Sequence, residues 1–172
     1  MRLIFRQLTL AVLLLTPLAA QQPKTPPLAA RIQRMEDIEE IRTVLVNYGR
    51  FLDAHDFAAY GRLFAHGGEW IGGFGTVKGP TDIEAFMIKN IGAPGKPTGT
   101  CHLLSNFIID VHGDQATAWS RWNFVTPGSD NKPAIAQGGH YEDSLVRENS
   151  HWKFSRREAF VDIPQGGPAP AR

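Results

Sequence analysis

Three side chains of this sequence could do acid–base chemistry together. Asp53 closes the stretch Tyr48-Gly-Arg-Phe-Leu-Asp53, and His102 follows Cys101 some fifty residues later. A carboxylate that holds one imidazole nitrogen as a donor leaves the other free as a base. An unperturbed imidazole titrates near pH ~6.5, which suits removal of a proton next to a carbonyl. Tyr48 would donate a hydrogen bond to the developing enolate oxygen. The protonated His102 would return its proton to a leaving hydroxyl or to another carbon, giving dehydration or isomerisation. Neither outcome calls for a metal or an organic cofactor. All of this requires the fold to bring Asp53 and His102 together beside an apolar cavity. Each residue also has a plainer role. Asp53 can bond the backbone at a helix end, His102 can be a structural histidine at a strand start, and Tyr48 can be core.

Bulk properties narrow the field. The chain has 172 residues and a formal net charge of +1. Its N-terminus reads as an export signal over residues 1–20. Arg2 and Arg6 form the basic region, Leu8 to Leu15 an apolar stretch, and Pro17-Leu18-Ala19-Ala20 a cleavage region. The apolar run is too short to span a bilayer well. Export implies a secreted or periplasmic location. The rest of the chain is close to neutral with no long basic run, which argues against a non-specific nucleic-acid binder. Cys101 is the only cysteine, so no internal disulfide forms, and no CxxC or HExxH spacing points to zinc.

The elements that would position the three side chains follow from periodicity. Residues 21–31, with Pro23, Pro26 and Pro27, read as a flexible linker. A helix is expected over Ile32 to Ala54, with Ile38, Ile41, Leu45, Tyr48 and Leu52 on one stripe and Glu36, Asp37, Glu39 and Glu40 near its start. Tyr48 and Asp53 differ by roughly 140° about this helix, so one pocket can touch both only by wrapping its end. Asp56 would cap a second helix over Phe57 to Phe64. A short hairpin follows around Gly72-Gly73-Phe74-Gly75, whose glycines read as turns. A third helix begins near Gly79-Pro80-Thr81 with Thr81 as its cap, and Ile83, Phe86, Met87 and Ile91 make its stripe. Four long strands complete the chain, over His102 to Val111, Ala116 to Val125, Ala134 to Arg147 and Trp152 to Val161. Consecutive antiparallel pairing is expected, and residues 164–172 form a loose tail. The fold class is α+β, a curved sheet wrapped around three helices with room for a small apolar ligand at its open end. Trp70, Phe86 and Trp119 are candidate substrate-contacting residues. Trp119 and Trp122 point to opposite faces of their strand, and Arg121 shares the Trp119 face. His55, His66, His112 and His151 fall at turns and read as solvated.

An ordered set of short motifs carries a family resemblance over residues 32–163. It comprises Tyr48-x-x-x-Leu-Asp53-x-x-Asp56, Leu63-Phe64, Gly79 before a helix, and His102-x-x-x-Asn106 with Gly113-Asp114-x-Ala116. Gly139-His140-Tyr141-x-Asp143 and Trp152-Lys-Phe complete it. The set resembles the SnoaL-like branch of the nuclear transport factor 2-like superfamily, which includes scytalone dehydratase and bile-acid 7α-dehydratase. The resemblance implies a cone of curved sheet with three helices, often dimeric through the sheet. It implies Tyr48, Asp53 and His102 as the catalytic set, with His140 near a further polar position. The function expected is a cofactor-free dehydratase or isomerase acting on a small apolar carbonyl compound, cyclic or polyketide-like. The alternatives are a non-catalytic domain that binds a small apolar ligand and a dimerisation scaffold with a filled cone.

Overall fold

The computed structural model describes residues 25–164. The expected export signal and all but the first residue of the expected tail lie outside them. Helix α1 spans Leu28–Asp53 and begins four residues before Ile32, inside the stretch expected to be linker. Pro27 precedes it with φ −54° and ψ 150°, and Leu28, Ala29 and Ala30 are strong helix formers that carry the helix back to the proline. The earlier start leaves no acidic residue in the first turn. Asp37 is instead buried. It accepts hydrogen bonds from Arg147 Nη2 at 2.7 Å, Gln33 Nε2 at 3.1 Å and Trp152 Nε1 at 3.3 Å, which tie α1 to the far end of the sheet. No described helix is long and apolar enough to cross a membrane.

Helix α2 is short, Phe57–Gly61, and Asp56 caps it by accepting from Ala59 N at 3.0 Å. It stops before Phe64 because Phe64 opens strand β1, Phe64–Gly72, which turns into β2, Gly75–Lys78. Helix α3, Pro80–Ile91, starts on proline after Gly79 at φ 88°, so Thr81 is not its cap. The long strands are β3 (Cys101–His112), β4 (Gln115–Pro127), β5 (Pro133–Glu148) and β6 (His151–Ile163). They form the expected antiparallel meander. The whole six-stranded sheet runs β2-β1-β6-β5-β4-β3, with β1 parallel to β6. Local turn signals report hairpins, whereas this pairing joins segments separated by most of the domain.

Helix α1 lies in the concave face. Ile41, Leu45 and Tyr48 pack with Phe64, Leu145, Trp152 and Phe154 in one core. Each fully buried side chain of this size contributes about 1.5–3 kcal/mol relative to exposure. Two strand irregularities decide which residues face that core. In β3 the register with β4 shifts between Ser105 and Ile108, where Asn106 takes φ 54°. Val111, Ile109 and Phe107 face inward below the bulge and Leu104 and His102 above it. In β6 the register shifts beside Ser155, so Trp152 and Phe154 face inward first, then Arg157, Ala159 and Val161. A bulge inserts one residue and reverses the alternation beyond it.

Candidate active site

The open end of the cone holds a cavity of about 420 Å³. Tyr48, Tyr60, Trp70 and Tyr141 line its inner part. Met87, Trp122, Phe124 and Val161 line the walls, and Asp53, His55, Asn90, Thr98, Thr100, His102 and Gln137 are among its polar lining residues. The accessible cavity counts against a filled scaffold.

Asp53 and His102 are in direct contact, on two hydrogen bonds. Asp53 Oδ1 lies 2.6 Å from His102 Nδ1, and Asp53 Oδ2 accepts from the His102 backbone N–H at 2.8 Å. Asp53 is the last residue of α1, so its side chain reaches past the helix end toward the start of β3. Gly49 makes this approach possible. A Cβ there would sit 2.8 Å from Leu104 Cδ1 and 3.5 Å from His102 Cβ, so glycine lets β3 lie close along the helix. Glycine inside a helix costs about 0.5–1 kcal/mol relative to alanine. An ionised carboxylate only accepts, so Nδ1 is the nitrogen that donates to it, and in the neutral ring Nε2 is the one with a lone pair. The ring packs 4.9 Å from Phe124 and 6.4 Å from Trp122, centroid to centroid.

Tyr48 and Asp53 border one cavity because it wraps the end of α1. Tyr48 is both core and lining. Its ring lies 4.7 Å from Tyr60 and 5.3 Å from Tyr141, and its oxygen accepts from Trp70 Nε1 at 2.9 Å. Gly72 leaves room for that indole, since a Cβ there would stand 2.5 Å from Trp70 Cη2. A phenol oxygen that accepts one hydrogen bond becomes a better donor through its own O–H. Burial pushes the Tyr60 and Tyr141 phenols well above their ordinary pKa, so both are neutral donors at working pH. The Tyr60 oxygen is buried with no hydrogen-bond partner among the described residues.

The candidate substrate contacts divide. Trp70 lines the cavity, while Phe86 lies behind it, its ring 5.6 Å from that of Trp70. Trp119 and His140 are on the outer face of the sheet, not in the cavity. His140 Nδ1 meets Asp162 at 2.9 Å, and its ring stacks on Phe160 at 4.6 Å and on Trp119 at 5.8 Å. Strand parity explains both corrections. On β4 the inward residues include Ala116, Ala118, Ser120 and Trp122, and on β5 Tyr141, Asp143 and Leu145. The neighbours Trp122 and Tyr141 therefore take the places expected for Trp119 and His140. Arg121 pairs with Asp162 at 3.3 Å on the same outer face. His55 is not solvated. It is 3% exposed, lines the cavity, and its Nδ1 meets Ala93 O at 3.1 Å. It takes φ 54° just past the end of α1, where its backbone N–H bonds Leu52 O. Among the described residues no three His, Cys, Asp or Glu side chains are grouped to hold a metal ion.

A curved, mostly antiparallel sheet that follows N-terminal helices and holds a cavity is the architecture of a nuclear transport factor 2-like protein. Residues 33–158 match the SnoaL-like domain, and the chain belongs to that family. It is similar to a nuclear transport factor 2-like protein with a cystatin-like fold from Novosphingobium aromaticivorans. The two share 28% identity at a TM-score of 0.70, covering 81% of this chain and 90% of that one. A Nostoc punctiforme protein of unknown function with a cystatin-like fold shares 26% identity at a TM-score of 0.63, covering 74% and 92%. A scytalone dehydratase-like protein of Novosphingobium aromaticivorans shares the fold at 21% identity and a TM-score of 0.58, covering 78% and 88%. No curated protein sequence matches the chain.

Proposed function

We propose that the chain is a cofactor-free dehydratase or isomerase acting on a small apolar carbonyl compound, cyclic or polyketide-like. One observation carries the reading: Asp53 holds His102 by both ring and backbone at an apolar cavity that three phenols share. His102 Nε2 takes a proton from the carbon next to the carbonyl. The bonding pair moves into the carbonyl group, and Tyr48 donates to the enolate oxygen. When the enolate collapses, the protonated His102 gives its proton to a departing hydroxyl, which leaves as water, or to another carbon. A positioned base contributes about 10²–10⁴-fold, and the cavity adds orientation and electrostatic stabilisation.

The test needs no knowledge of the natural leaving group. 2-Tetralone and a panel of β-hydroxy ketones are incubated in D₂O, and deuterium entry at the α-carbon is followed by NMR. Exchange that vanishes in His102→Ala, with the melting curve kept, supports the reading. Tight binding of the same ketones without exchange would instead favour a ligand-binding domain.

The proposal extends to a homodimer through the outer face of the sheet. Leu103 and Ile108 are more than half exposed there, beside the Trp119–His140–Phe160 stack. It also extends to an exported protein, on the N-terminal segment alone. N-terminal sequencing of the protein recovered from a periplasmic fraction checks the latter, and retention of residues 1–20 on a cytoplasmic protein would refute it.

A further inference from the structure

Beneath the phenols lies a charge that the proton transfers above do not use. Arg157 is fully buried. Its Nε and Nη2 donate to the two oxygens of Asp143 at 2.7 Å and 2.8 Å, and Asp143 is buried as well. The Ser155 bulge turns Arg157 inward, and the register sets it between Trp70 of β1 and Asp143 of β5. Stability alone does not account for such a pair. Well-packed apolar residues in place of a buried ion pair are often as stable or more so.

The surroundings of the guanidinium indicate another role. Its central carbon lies 3.9 Å from the ring centroid of Tyr48, 4.1 Å from that of Tyr141 and 4.3 Å from that of Phe154. Two of these three rings line the cavity with their phenols. Arg157 Nη1 has no hydrogen-bond partner among the described residues. The group is clamped by one carboxylate and otherwise applied to aromatic faces, a cation–π arrangement in a site shielded from water. We propose that Arg157 is a positioning residue, which polarises Tyr48 and Tyr141 so that their hydroxyls donate more strongly to the oxygen of a bound carbonyl compound. The use made of those donors rests on the function proposed above. The charge–phenol coupling does not.

The electrostatics have the required sign. A cation over a phenol ring stabilises negative charge on its oxygen, in the phenolate and in a hydrogen bond drawn toward it. Burial drives the Tyr60 and Tyr141 phenols upward, and Arg157 acts against burial at both. At Tyr141 the opposing influence of Asp143 is the weaker of the two, so the ion pair turns its positive end to the phenols. Burial works against the charge on Arg157, but the influences led by the Asp143 carboxylate together outweigh it, and the guanidinium stays ionised.

The chain has three tyrosines, and all three line the cavity, which makes the coupling directly measurable. Uniform 3-fluorotyrosine labelling yields ¹⁹F signals for the three tyrosines, assigned by single Tyr→Phe variants, and their chemical shifts report the charge held against each ring. In the double variant Asp143→Leu/Arg157→Met, the Tyr48 and Tyr141 signals should shift by clearly more than their linewidth as the cation leaves their ring faces. Tyr60, which does not stack on the guanidinium, should move less. Arg157→Lys keeps the charge but not the planar stack, so it should give a smaller shift of the same two signals. It decides the matter alone if the double variant does not fold. Unchanged signals, or an equal shift of all three, would overturn the proposal. No substrate enters this experiment, so its failure leaves the role of His102 standing, and a failed deuterium exchange leaves this coupling standing.

Discussion

Two histidine–aspartate pairs, one on each face of the sheet, share a similar geometry. On the inner face Asp53 meets His102 at 2.6 Å, and on the outer face Asp162 meets His140 at 2.9 Å. Both rings lie against aromatic neighbours. Their surroundings differ. The inner pair borders a cavity with three phenols and a buried cation beneath, and its carboxylate comes from a helix that fixes it twice. The outer His140 is held flat between Phe160 and Trp119, while Asp162 also serves Arg121. A His–Asp contact therefore defines no site by itself. What matters is whether the second ring nitrogen faces a space that can hold a substrate and exclude water.

The largest effects should separate the two pairs. His102→Ala should abolish ketone α-exchange, and Asp53→Asn should reduce it by on the order of 10²–10⁴-fold by releasing the tautomer. His140→Ala and Asp162→Asn should leave the exchange rate per protomer unchanged. Loss of exchange in the outer variants would erase the distinction. The ion pairs offer a second contrast, read from melting curves. Arg157→Met alone strands a buried carboxylate and should cost about 3–5 kcal/mol. Arg121→Met, at a half-exposed pair, should cost about 1 kcal/mol or less. Next, Ile108→Glu on the outer face should convert a dimer to a monomer in light scattering without altering exchange. A monomeric parent protein would remove the dimer.

The smallest effect concerns acid stability at the narrow end of the cone. Burial alone would raise the Asp37 pKa, but hydrogen bonds from Arg147, Gln33 and Trp152 outweigh it and hold the carboxyl below 3.8. A folded-state value below the unfolded one adds stability that is present above the ordinary carboxylate range. That stability is lost as pH falls through the lower folded value. Denaturant midpoints followed from pH 5 downward should fall less steeply in Asp37→Asn than in the parent protein, and parallel curves would show that Asp37 carries none of this dependence.

Much of this architecture was legible in the chain because it rests on short-range regularities. The stripe through Ile41, Leu45, Tyr48 and Leu52 announces α1, Asp56 announces the start of α2, and the turns at Gly113-Asp114 and Asn149-Ser150 announce the hairpins. The ordered motifs singled out Asp53 and His102, which the structure brings into contact. Strand parity was the weak point. Trp119 and His140 are as conspicuous in the sequence as Trp122 and Tyr141, and the choice between them is a choice of sheet face. Arg157 and His55 gave no local signal. An arginine between charged neighbours reads as surface, and a histidine after a helix reads as a turn.

The sequence by itself determined the helices, the meander, the family and the pair of residues most suited to acid–base work. Those depend on periodicities of two and 3.6 residues and on side-chain chemistry. The tertiary structure alone decided the parallel docking of β1 on β6 and which face each long strand presents. The physical reason is that one extra residue in a strand reverses its alternation, at Asn106 in β3 and at Ser155 in β6. Whether such a residue bulges is decided by the neighbouring strand and the helix beneath. Those two reversals turn His102 toward the cavity and Arg157 under its phenols.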